Sequence, residues 1–425
     1  MSQLVDVSTN YVHLRTQCAS CSSTDTLRVI YDFGEVPLAG DFPKKNQLNE
    51  VSVYQLSLLV CERCALVQTN SIISPNVLFS DYRYKSSIGL TKHFESYVQW
   101  FKTTFGNEED YKILEIGCND GVLMRPLIKE GYDVVGVDPA RNIIQTPLAE
   151  GMSIYCDFFS SEFVRTHKLQ NTFDFILANN SFAHIDNIKD VVEAVATALK
   201  SGGHLIIEVH YLLNLISQFQ YDNVYHEHIY YYSLTALDNL LNPYGLHIVN
   251  FEDLDVHAGS IRVIIQKDGQ TTQPVLDRKA TEMKMGITTF PRYDKFSGDV
   301  TSHSEELRKK IRSIKSEGYR IIGYGASGRA NMLCNTLRLT QDDVEYILDE
   351  SPERYDRFIP QANIPIINAS DKLNHITGDN VVIVIFAWNY ANMIINKLRG
   401  RGFKFLLPLP EIRIVDDTYV NQNTL

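Results

Sequence analysis

The sequence has no apolar run long enough to cross a membrane and no segment that looks like an export signal. Its longest uninterrupted apolar run, residues 381–388, has eight residues, whereas a membrane-spanning helix needs roughly 18. Residues 1–6 carry neither a basic region nor an apolar stretch, so secretion is not expected. We therefore expect a cytoplasmic protein that does not engage a membrane.

Basic charge is also in short supply. The 425 residues include 40 Lys and Arg against 51 Asp and Glu, which gives a formal net charge of −11. Proteins that hold a nucleic-acid polymer by its phosphates normally carry a basic domain or stripe, and this sequence shows neither. We expect no nucleic-acid polymer as a partner, and a chain that is a monomer or a weak homodimer.

Cysteine is infrequent, and its odd number of seven argues against a disulfide framework. Four of the seven form two close pairs, Cys18-x2-Cys21 and Cys61-x2-Cys64. Each pair places two thiolates on one tight turn, and two such turns supply a closed tetrahedral site for Zn²⁺. A site filled by four thiolates would be structural, since no position remains for water or substrate. The alternative is four reduced cysteines without a metal.

Length and apolar pattern predict about three structural units, at roughly 150 residues per domain. Short apolar runs alternate with helical stretches from Lys112 onward, and the same rhythm returns at Arg320. Strands that alternate with helices indicate βαβ units and a parallel sheet. The predicted organisation is a zinc-binding module at 1–70, a helical linker at 71–107, an α/β core at 108–270 and a second, smaller α/β domain at 271–425.

The first α/β unit opens with a strand, a glycine-containing turn and a helix. Gly117 and Gly121 in this turn would let the backbone approach a ligand closely. Asp138 ends the next strand, where a carboxylate can accept hydrogen bonds from both ribose hydroxyls of a nucleoside. The pattern resembles motif I of the class I S-adenosylmethionine (SAM)-dependent methyltransferases, with Asn119 in place of the usual middle glycine; a generic strand-turn-helix is the alternative. The cofactor-binding residues expected from this resemblance are Glu115, Gly117, Asn119, Gly121 and Asp138, with Asp157 and Phe158 at the adenine and Asn179 at the methionine portion.

A second unusual segment, residues 221–233, contains two histidines, one carboxylate and several phenols. His226 and His228 alternate like metal ligands on a strand, but a metal would need further ligands. Acid–base chemistry is another interpretation, because an imidazole titrates near neutral pH and a neighbouring carboxylate such as Glu227 can fix its tautomer. A polar loop with packed aromatic side chains is the third.

The second α/β unit begins with a G-x-G-x-x-G turn at residues 323–328, followed by Arg329, with Asp349 at the end of the next predicted strand. Taken alone, this pattern is typical of a dinucleotide-binding turn. The same turn can hold any pyrophosphate at a helix N-terminus. We favour the phosphates of a nucleotide substrate over a purely structural turn, and both over NAD.

Together these motifs resemble the nucleotide-sugar C-methyltransferases of antibiotic and surface-glycan deoxysugar pathways, whose best-known members act on dTDP-4-keto sugars at C3. The resemblance covers essentially the whole chain, and Tyr225-His-Glu-His228 is its most specific part. It implies an α/β fold built from a small zinc-binding module, a class I methyltransferase Rossmann-like core and a smaller C-terminal Rossmann-like domain that closes the substrate cleft.

The same resemblance implies methyl transfer from SAM to C3 of a 4-keto-deoxysugar nucleotide. His228 would be the general base, with Tyr225, Glu227 and His184 beside it. A C4 ketone makes the C3 proton removable as an enolate, whose oxygen phenol or imidazole donors would stabilise. The residues that the resemblance assigns to substrate binding are Tyr82, Tyr84, Phe42, His257, Ser260, Arg262, Gly325, Ser327, Arg329 and Asp349.

Two departures from the family pattern leave the nucleotide open. Ala258 stands where many relatives have glycine, and residues 356–363 differ from the expected lysine- and glycine-rich turn. The substrate could therefore carry dTDP, GDP, CDP or UDP. The competing hypotheses are O- or N-methylation on the same scaffold, an NAD-dependent sugar oxidoreductase that uses the Gly323 turn, and a zinc-ribbon interaction protein with an inactive core.

Overall fold

A computed structural model describes residues 12–74, 85–106 and 110–419, together with Leu78. Tyr82 and Tyr84, expected at the substrate, lie outside the described residues. No helix in the described part of the chain is long and apolar enough to span a bilayer. The described strands form four sheets, one of two strands, one of four and two of seven.

The N-terminal module is built on a long antiparallel pair of strands, in which Leu27 lies opposite Cys61. Its four-stranded sheet has the order β11-β4-β3-β2, so one strand comes from a distant part of the chain. In that pairing Tyr230 lies opposite Gln68. The strands of this sheet are β2 (Leu27–Pro37), β3 (Val53–Cys61), β4 (Val67–Thr69) and β11 (Tyr230–Tyr231), while β1 (Val12–Leu14) and β5 (Ser71–Ile73) form the two-stranded sheet.

The central unit is a seven-stranded sheet with the order β12-β13-β10-β9-β6-β7-β8. Its first five strands in the chain are parallel, and β13 runs antiparallel to both of its neighbours. This order, with the reversed last strand inserted before the sixth, is that of class I methyltransferases. The strands are β6 (Lys112–Ile116), β7 (Asp133–Val137), β8 (Ser153–Tyr155), β9 (Phe173–Asn179), β10 (Leu199–His210), β12 (Leu246–Leu254) and β13 (Ser260–Lys267).

Helices cover both faces of this sheet, as its apolar strands require. The first of them, α1, was expected only as a linker, but it buries Phe94, Tyr97 and Phe101 along one face against Phe175 and other side chains of the core. The spacing of these three residues is that of an amphipathic helix. The helices are α1 (Ser87–Phe105), α2 (Met124–Lys129), α3 (Gln145–Ala149), α4 (Ser161–Thr166), α5 (Ile188–Ala198), α6 (Leu212–Ser217) and α7 (Leu234–Leu241).

The C-terminal domain is a second seven-stranded sheet, with the order β16-β17-β15-β14-β18-β19-β20. It has as many strands as the core sheet, and its strands are shorter, with two to five residues. The strands are β14 (Arg320–Tyr324), β15 (Ile347–Asp349), β16 (Phe358–Ile359), β17 (Ile364–Asn368), β18 (Val381–Ile385), β19 (Lys404–Leu407) and β20 (Arg413–Val415). The helices of this domain are α9 (Phe290–Ser316), α10 (Gly328–Thr336), α11 (Ala369–Leu373) and α12 (Ala391–Leu398), whereas the preceding helix α8 (Gln273–Lys284) packs against α7 and β12 of the core.

The three units share hydrophobic cores rather than meeting only at their surfaces. Cys61 and Leu66 of the module belong to one cluster with Leu114 of the core sheet. Leu58 of the module belongs to another cluster with Ile311 of the long helix α9. Because the module contributes to both clusters, it fixes the core and the C-terminal domain relative to one another.

Candidate functional site

The two cysteine pairs meet at one point, as the sequence predicted. The four sulfur atoms lie within 4.8 Å of one another. The Sγ atoms of Cys18 and Cys64 are 3.4 Å apart, and those of Cys21 and Cys61 are 3.5 Å apart. Tetrahedral zinc with Zn–S bonds of about 2.3 Å needs sulfur atoms roughly 3.8 Å apart. The four side chains therefore fit a structural Zn²⁺, which would tie the loop before β2 to the end of β3.

The glycine turn after β6 has the conformation that its sequence demands. Gly117, Asn119 and Gly121 all have positive φ, at 73°, 49° and 74°, a region that glycine and asparagine tolerate best. A Cβ atom on Gly117 would lie 2.6 Å from the Cβ of Ser181, and one on Gly121 would lie 2.9 Å from the Sδ of Met152. Glycine is thus required here for close packing of the protein on itself.

Asp138 lies at the end of β7, directly beside this turn. Its carboxylate accepts hydrogen bonds from the backbone N–H groups of Asn119, at 2.9 Å, and Ala140, at 2.8 Å. Each carboxylate oxygen keeps a second lone pair for a ribose hydroxyl. Asp157 and Phe158, expected at an adenine ring, follow the neighbouring strand β8 and are exposed at the same end of the sheet.

Several buried polar atoms near the end of β9 have no hydrogen-bond partner in the described part of the chain. They are Oε2 of Glu115, both amide atoms of Asn179, Nδ2 of Asn180 and the hydroxyl of Tyr97. Burial, and then the charges of Asp138 and Asp120, raise the pKa of Glu115 well above its ordinary value. Unsatisfied polar groups and an excess of carboxylates fit a ligand with a cationic amino-acid portion, and SAM has one.

His228 is held in one tautomer. Its Nδ1 lies 3.1 Å from the carbonyl oxygen of Asn223 and can only donate there. Its Nε2 lies 2.7 Å from the hydroxyl of Tyr225, which donates to it. The neutral ring therefore carries its proton on Nδ1 and presents a lone pair on Nε2, the form in which an imidazole accepts a proton.

Three further histidines surround His228. Its ring centre is 5.1 Å from that of His184 and 4.8 Å from that of His210, and His210 is 5.6 Å from His257. Burial, and then the neighbouring imidazoles, lower the pKa of His228 well below its usual range, and burial lowers that of His184 to about 4. The cluster is thus neutral at pH 7.

Glu227 does not fix the tautomer of His228, because the Asn223 carbonyl does so. A Cβ atom on Gly40 would lie 3.8 Å from the carboxylate of Glu227, which therefore faces the zinc module. Burial raises the pKa of Glu227 to about 7. The neighbouring His226 is fully buried with its ring edge-on to Tyr54 of the same module, so it does not pair with His228 in a metal site.

The G-x-G-x-x-G turn of the C-terminal domain packs against the zinc module. A Cβ atom on Gly328 would lie 3.1 Å from the Cβ of Ala39, and Asn331 Nδ2 donates to the carbonyl of Leu38 at 3.0 Å. Phe42 from the same loop is buried below the guanidinium of Arg354. The loop after β2 therefore covers the start of α10, where a dinucleotide-binding turn would place its ligand.

The side chains of this turn are also partly engaged. Asp349 accepts from the backbone N–H groups of Ala326 at 2.7 Å and Ser351 at 2.8 Å. Ser327 caps α10 through its hydroxyl, and Gly325 has φ of 89° with Ala387 directly beside it. Local structure thus accounts for these residues as well as a nucleotide would.

Arg262, expected at the substrate, lies instead in a buried ion-pair network. Its guanidinium pairs with Glu208 at 2.7 Å and Glu252 at 3.0 Å, and it lies 3.9 Å from the ring centre of Trp100. A guanidinium that pairs with two carboxylates and stacks on an indole has a structural role. Here it connects the sheet to α1. Ser260 donates to the carbonyl of Val256 and stabilises the turn that carries His257.

Arg329, also expected at the substrate, forms a bidentate ion pair with the buried carboxylate of Asp222. Its Nε and Nη2 atoms each donate to one carboxylate oxygen at 3.0 Å. Trp388 donates its indole N–H to the same carboxylate at 2.8 Å. Asp222, Trp388 and His210 were missed from the sequence. His210 ends a core strand, and that position was the available signal.

The fold and the site define a class I SAM-dependent methyltransferase with a four-cysteine zinc module. Three family models match consecutive parts of the chain. Residues 18–79 match "Putative zinc binding domain", residues 91–250 match "Methyltransferase domain", and residues 255–410 match "C-methyltransferase C-terminal domain". The protein is therefore a SAM-dependent C-methyltransferase.

Among its relatives is the C-methyltransferase NovU of Streptomyces niveus, which is 29% identical over 412 residues, or 94% of this chain and 96% of NovU. The mitochondrial ubiquinone biosynthesis O-methyltransferase of Rattus norvegicus is 26% identical over 155 residues, or 32% of this chain and 44% of that protein. A solved SAM-dependent methyltransferase from Methanosarcina mazei covers 38% of this chain and 93% of its own, at 18% identity and a TM-score of 0.30.

Proposed function

We propose that the enzyme methylates C3 of a 4-keto-deoxysugar nucleotide, and that His228 is the general base. The observation that carries this proposal is the single tautomer of His228, whose Nε2 lone pair lies next to the Tyr225 hydroxyl. A hydrogen on carbon becomes removable at neutral pH only beside a carbonyl, so a base of this kind calls for a keto substrate. A nucleotide 4-keto sugar supplies one.

In this proposal Nε2 of His228 takes the C3 proton, and the electron pair of the C–H bond moves into an enolate. Tyr225, hydrogen-bonded to Nε2, turns its hydroxyl toward the substrate as the imidazole becomes protonated. In the same proposal neutral His184 and His210 donate to the enolate oxygen, in the manner of a preorganised oxyanion site. The resulting imidazolium is stabilised by the Asn223 carbonyl at Nδ1.

SAM, when bound, supplies an electrophilic methyl group. Glu115 and Asn179 would hold its amino-acid portion, Asp138 its ribose, and Asp157 with Phe158 its adenine. These residues lie at or just after the carboxyl ends of four strands of one sheet, β6 to β9, so they would surround a single ligand at that edge of the sheet. The chain's own part is to hold the substrate carbon near the methyl group and to exclude water.

In this proposal the nucleotide of the substrate lies against the C-terminal domain near Phe42 and His257, and the loop after β2 separates it from the turn of Gly325 to Arg329. The nucleotide of the substrate is dTDP, GDP, CDP or UDP. Action in the cytoplasm, as a monomer or weak homodimer, is part of the same proposal.

The test is isotopic. A panel of 4-keto-6-deoxyhexoses linked to each of the four nucleotides is incubated with enzyme in heavy water, without and then with SAM. We expect deuterium at C3 of one substrate, followed by methylation there. The His228→Gln variant should lose both reactions. His375→Gln, a change of an exposed histidine in the C-terminal domain, is the matched control.

The outcomes separate the alternatives. Methylation at a near-wild-type rate by His228→Gln would remove this residue from the mechanism. Deuterium and methyl at C5 instead of C3 would support the enolate mechanism and show that the methylated carbon is C5. A product with methyl on oxygen, seen by NMR, would indicate O-methylation, and saturable NAD(P)H binding without sugar would indicate an oxidoreductase.

A further inference from the structure

The short turn Tyr221–Asn223 connects the C-terminal domain to the proposed base. Its central residue, Asp222, is fully buried. The Asp222 carboxylate accepts from Arg329 Nε and Nη2 at 3.0 Å each and from Trp388 Nε1 at 2.8 Å. The guanidinium of Arg329 also lies 4.7 Å from the centre of the Trp388 ring. Both partners of Asp222 therefore come from the C-terminal domain.

The next residue in the chain holds two side chains of the histidine segment. The carbonyl oxygen of Asn223 accepts from Nδ1 of His228 at 3.1 Å and from the hydroxyl of Tyr231 at 3.1 Å. The two residues are adjacent in the chain, so only the backbone torsions of Asn223 and the side-chain torsions of Asp222 lie between this carbonyl and the Asp222 carboxylate. A shift of Asp222 is therefore expected to move the acceptor that fixes the His228 tautomer.

The residue before the turn makes a matching contact on the other side. Gln220 donates from Nε2 to the carbonyl of Ala258 at 2.6 Å, and its Oε1 accepts from Arg329 at 3.4 Å. Ala258 lies in the turn that carries His257. Arg329 thus lies between the supports of two histidines of the cluster.

We propose that Asp222 is a positioning residue, through which Arg329 and Trp388 of the C-terminal domain keep His228 protonated on Nδ1. The inference rests on the proposed role of His228 as the base. Asp222 itself touches neither base nor substrate and acts through the Asn223 carbonyl. Docking of the C-terminal domain would then be required for an active base as well as for a closed cleft.

The test reads the tautomer directly. Protein labelled with ¹⁵N in the histidine rings is studied by NMR at pH 7 without substrate, and the His228 signals are assigned by their loss in His228→Gln. Wild type should show one tautomer, with the proton on Nδ1. Asp222→Asn, which keeps the size of the side chain and removes its charge, should show a mixture or the Nε2-protonated form.

Trp388→Phe is the second variant, because it keeps an aromatic ring beside Arg329 and removes only the indole donor. It should give a smaller change in the same direction. The control is Asp343→Asn, which removes the charge of another carboxylate of the C-terminal domain, one paired with Arg312 at 2.9 Å, and should leave the His228 signals unchanged. Circular dichroism and zinc content show that each protein is folded.

Two results would overturn the inference. The first is a folded Asp222→Asn protein in which His228 is still protonated only on Nδ1. The second applies if Asp222→Asn does not fold, and is a Trp388→Phe protein in which His228 is still protonated only on Nδ1. Deuterium exchange into the keto substrate should fall about 10- to 100-fold in Asp222→Asn, the range typical of partners that orient a functional histidine. If His228→Gln retains exchange, the proposed base is wrong, while the tautomer measurement still decides the role of Asp222.

Discussion

Replacement of Glu227 by glutamine should stabilise the protein increasingly as the pH rises. The carboxylate faces Gly40 of the zinc module, and burial raises its pKa from 4.5 to about 7. The folded state therefore favours the protonated form. Ionisation of the unfolded chain begins to oppose folding above pH 4.5, and this cost stops growing once the folded group also ionises above about pH 7. Glutamine keeps the shape and has no such cost.

The magnitude follows from these two values. One pKa unit corresponds to about 1.4 kcal/mol, so the variant gains about 1 kcal/mol at pH 5.5 and about 3 kcal/mol at pH 8.5. The difference of about 2 kcal/mol should appear as a Tm gain that grows by roughly 2 °C over this pH range, because a chain of 425 residues shifts its Tm by roughly 1 °C per kcal/mol at roughly 2.1 cal/mol/K of unfolding entropy per residue.

The assay is thermal unfolding of wild type and Glu227→Gln between pH 5.5 and 8.5, with zinc bound and SAM absent. Glu35→Gln is the control, because Glu35 is an exposed carboxylate of the same module. A Tm difference that stays constant across the pH range, or that shrinks as the pH rises, would refute the reasoning, since it would mean that Glu227 is charged in the folded protein at pH 5.5.

Two further predictions concern the zinc module and the His257 turn. Removal of zinc by a chelator should lower both the Tm and the rate of methyl transfer, because β4 of the module pairs with Tyr230–Tyr231 beside His228. Full activity of a zinc-free protein would contradict this prediction. Cys156→Ser, which changes a cysteine outside the cluster, is the control for the loss of a thiol. Ala258→Gly should leave the free energy of unfolding unchanged or raise it by up to about 1 kcal/mol, because Ala258 has φ of 68°, where alanine is strained and glycine is not. Urea unfolding would measure this difference. A loss of more than about 1 kcal/mol would contradict the expectation.

Much of the fold was predictable because its signals are local. The strands at Lys112–Ile116, Asp133–Val137 and Val381–Ile385 lie where short apolar runs placed them. In the apolar run at residues 344–348, only Ile347 and Leu348 belong to a strand, β15. The role of α1 was underestimated, because amphipathic spacing shows that a helix has a buried face and does not show which unit covers it.

The candidate site divides in the same way. The zinc ligands follow from two C-x2-C pairs, since tetrahedral zinc takes four ligands and the two pairs supply four thiolates, and the SAM turn follows from the spacing of glycines directly after a strand. The partner of His228 does not follow from its neighbours in the chain. Glu227 was the adjacent carboxylate, but side chains of consecutive residues diverge, so Glu227 points to the zinc module and the Asn223 carbonyl serves His228 instead.

The sequence by itself determined the class of chemistry, because the residue types that bind zinc and SAM, and the imidazole that can accept a proton, are written in short motifs. Only the tertiary structure decided which charges are free to act. Arg262 and Arg329 read alike as cations for a substrate, yet each is paired with a buried carboxylate more than 50 residues away in the chain. Such pairing depends on which strands and domains meet, and burial then makes the pair costly to separate.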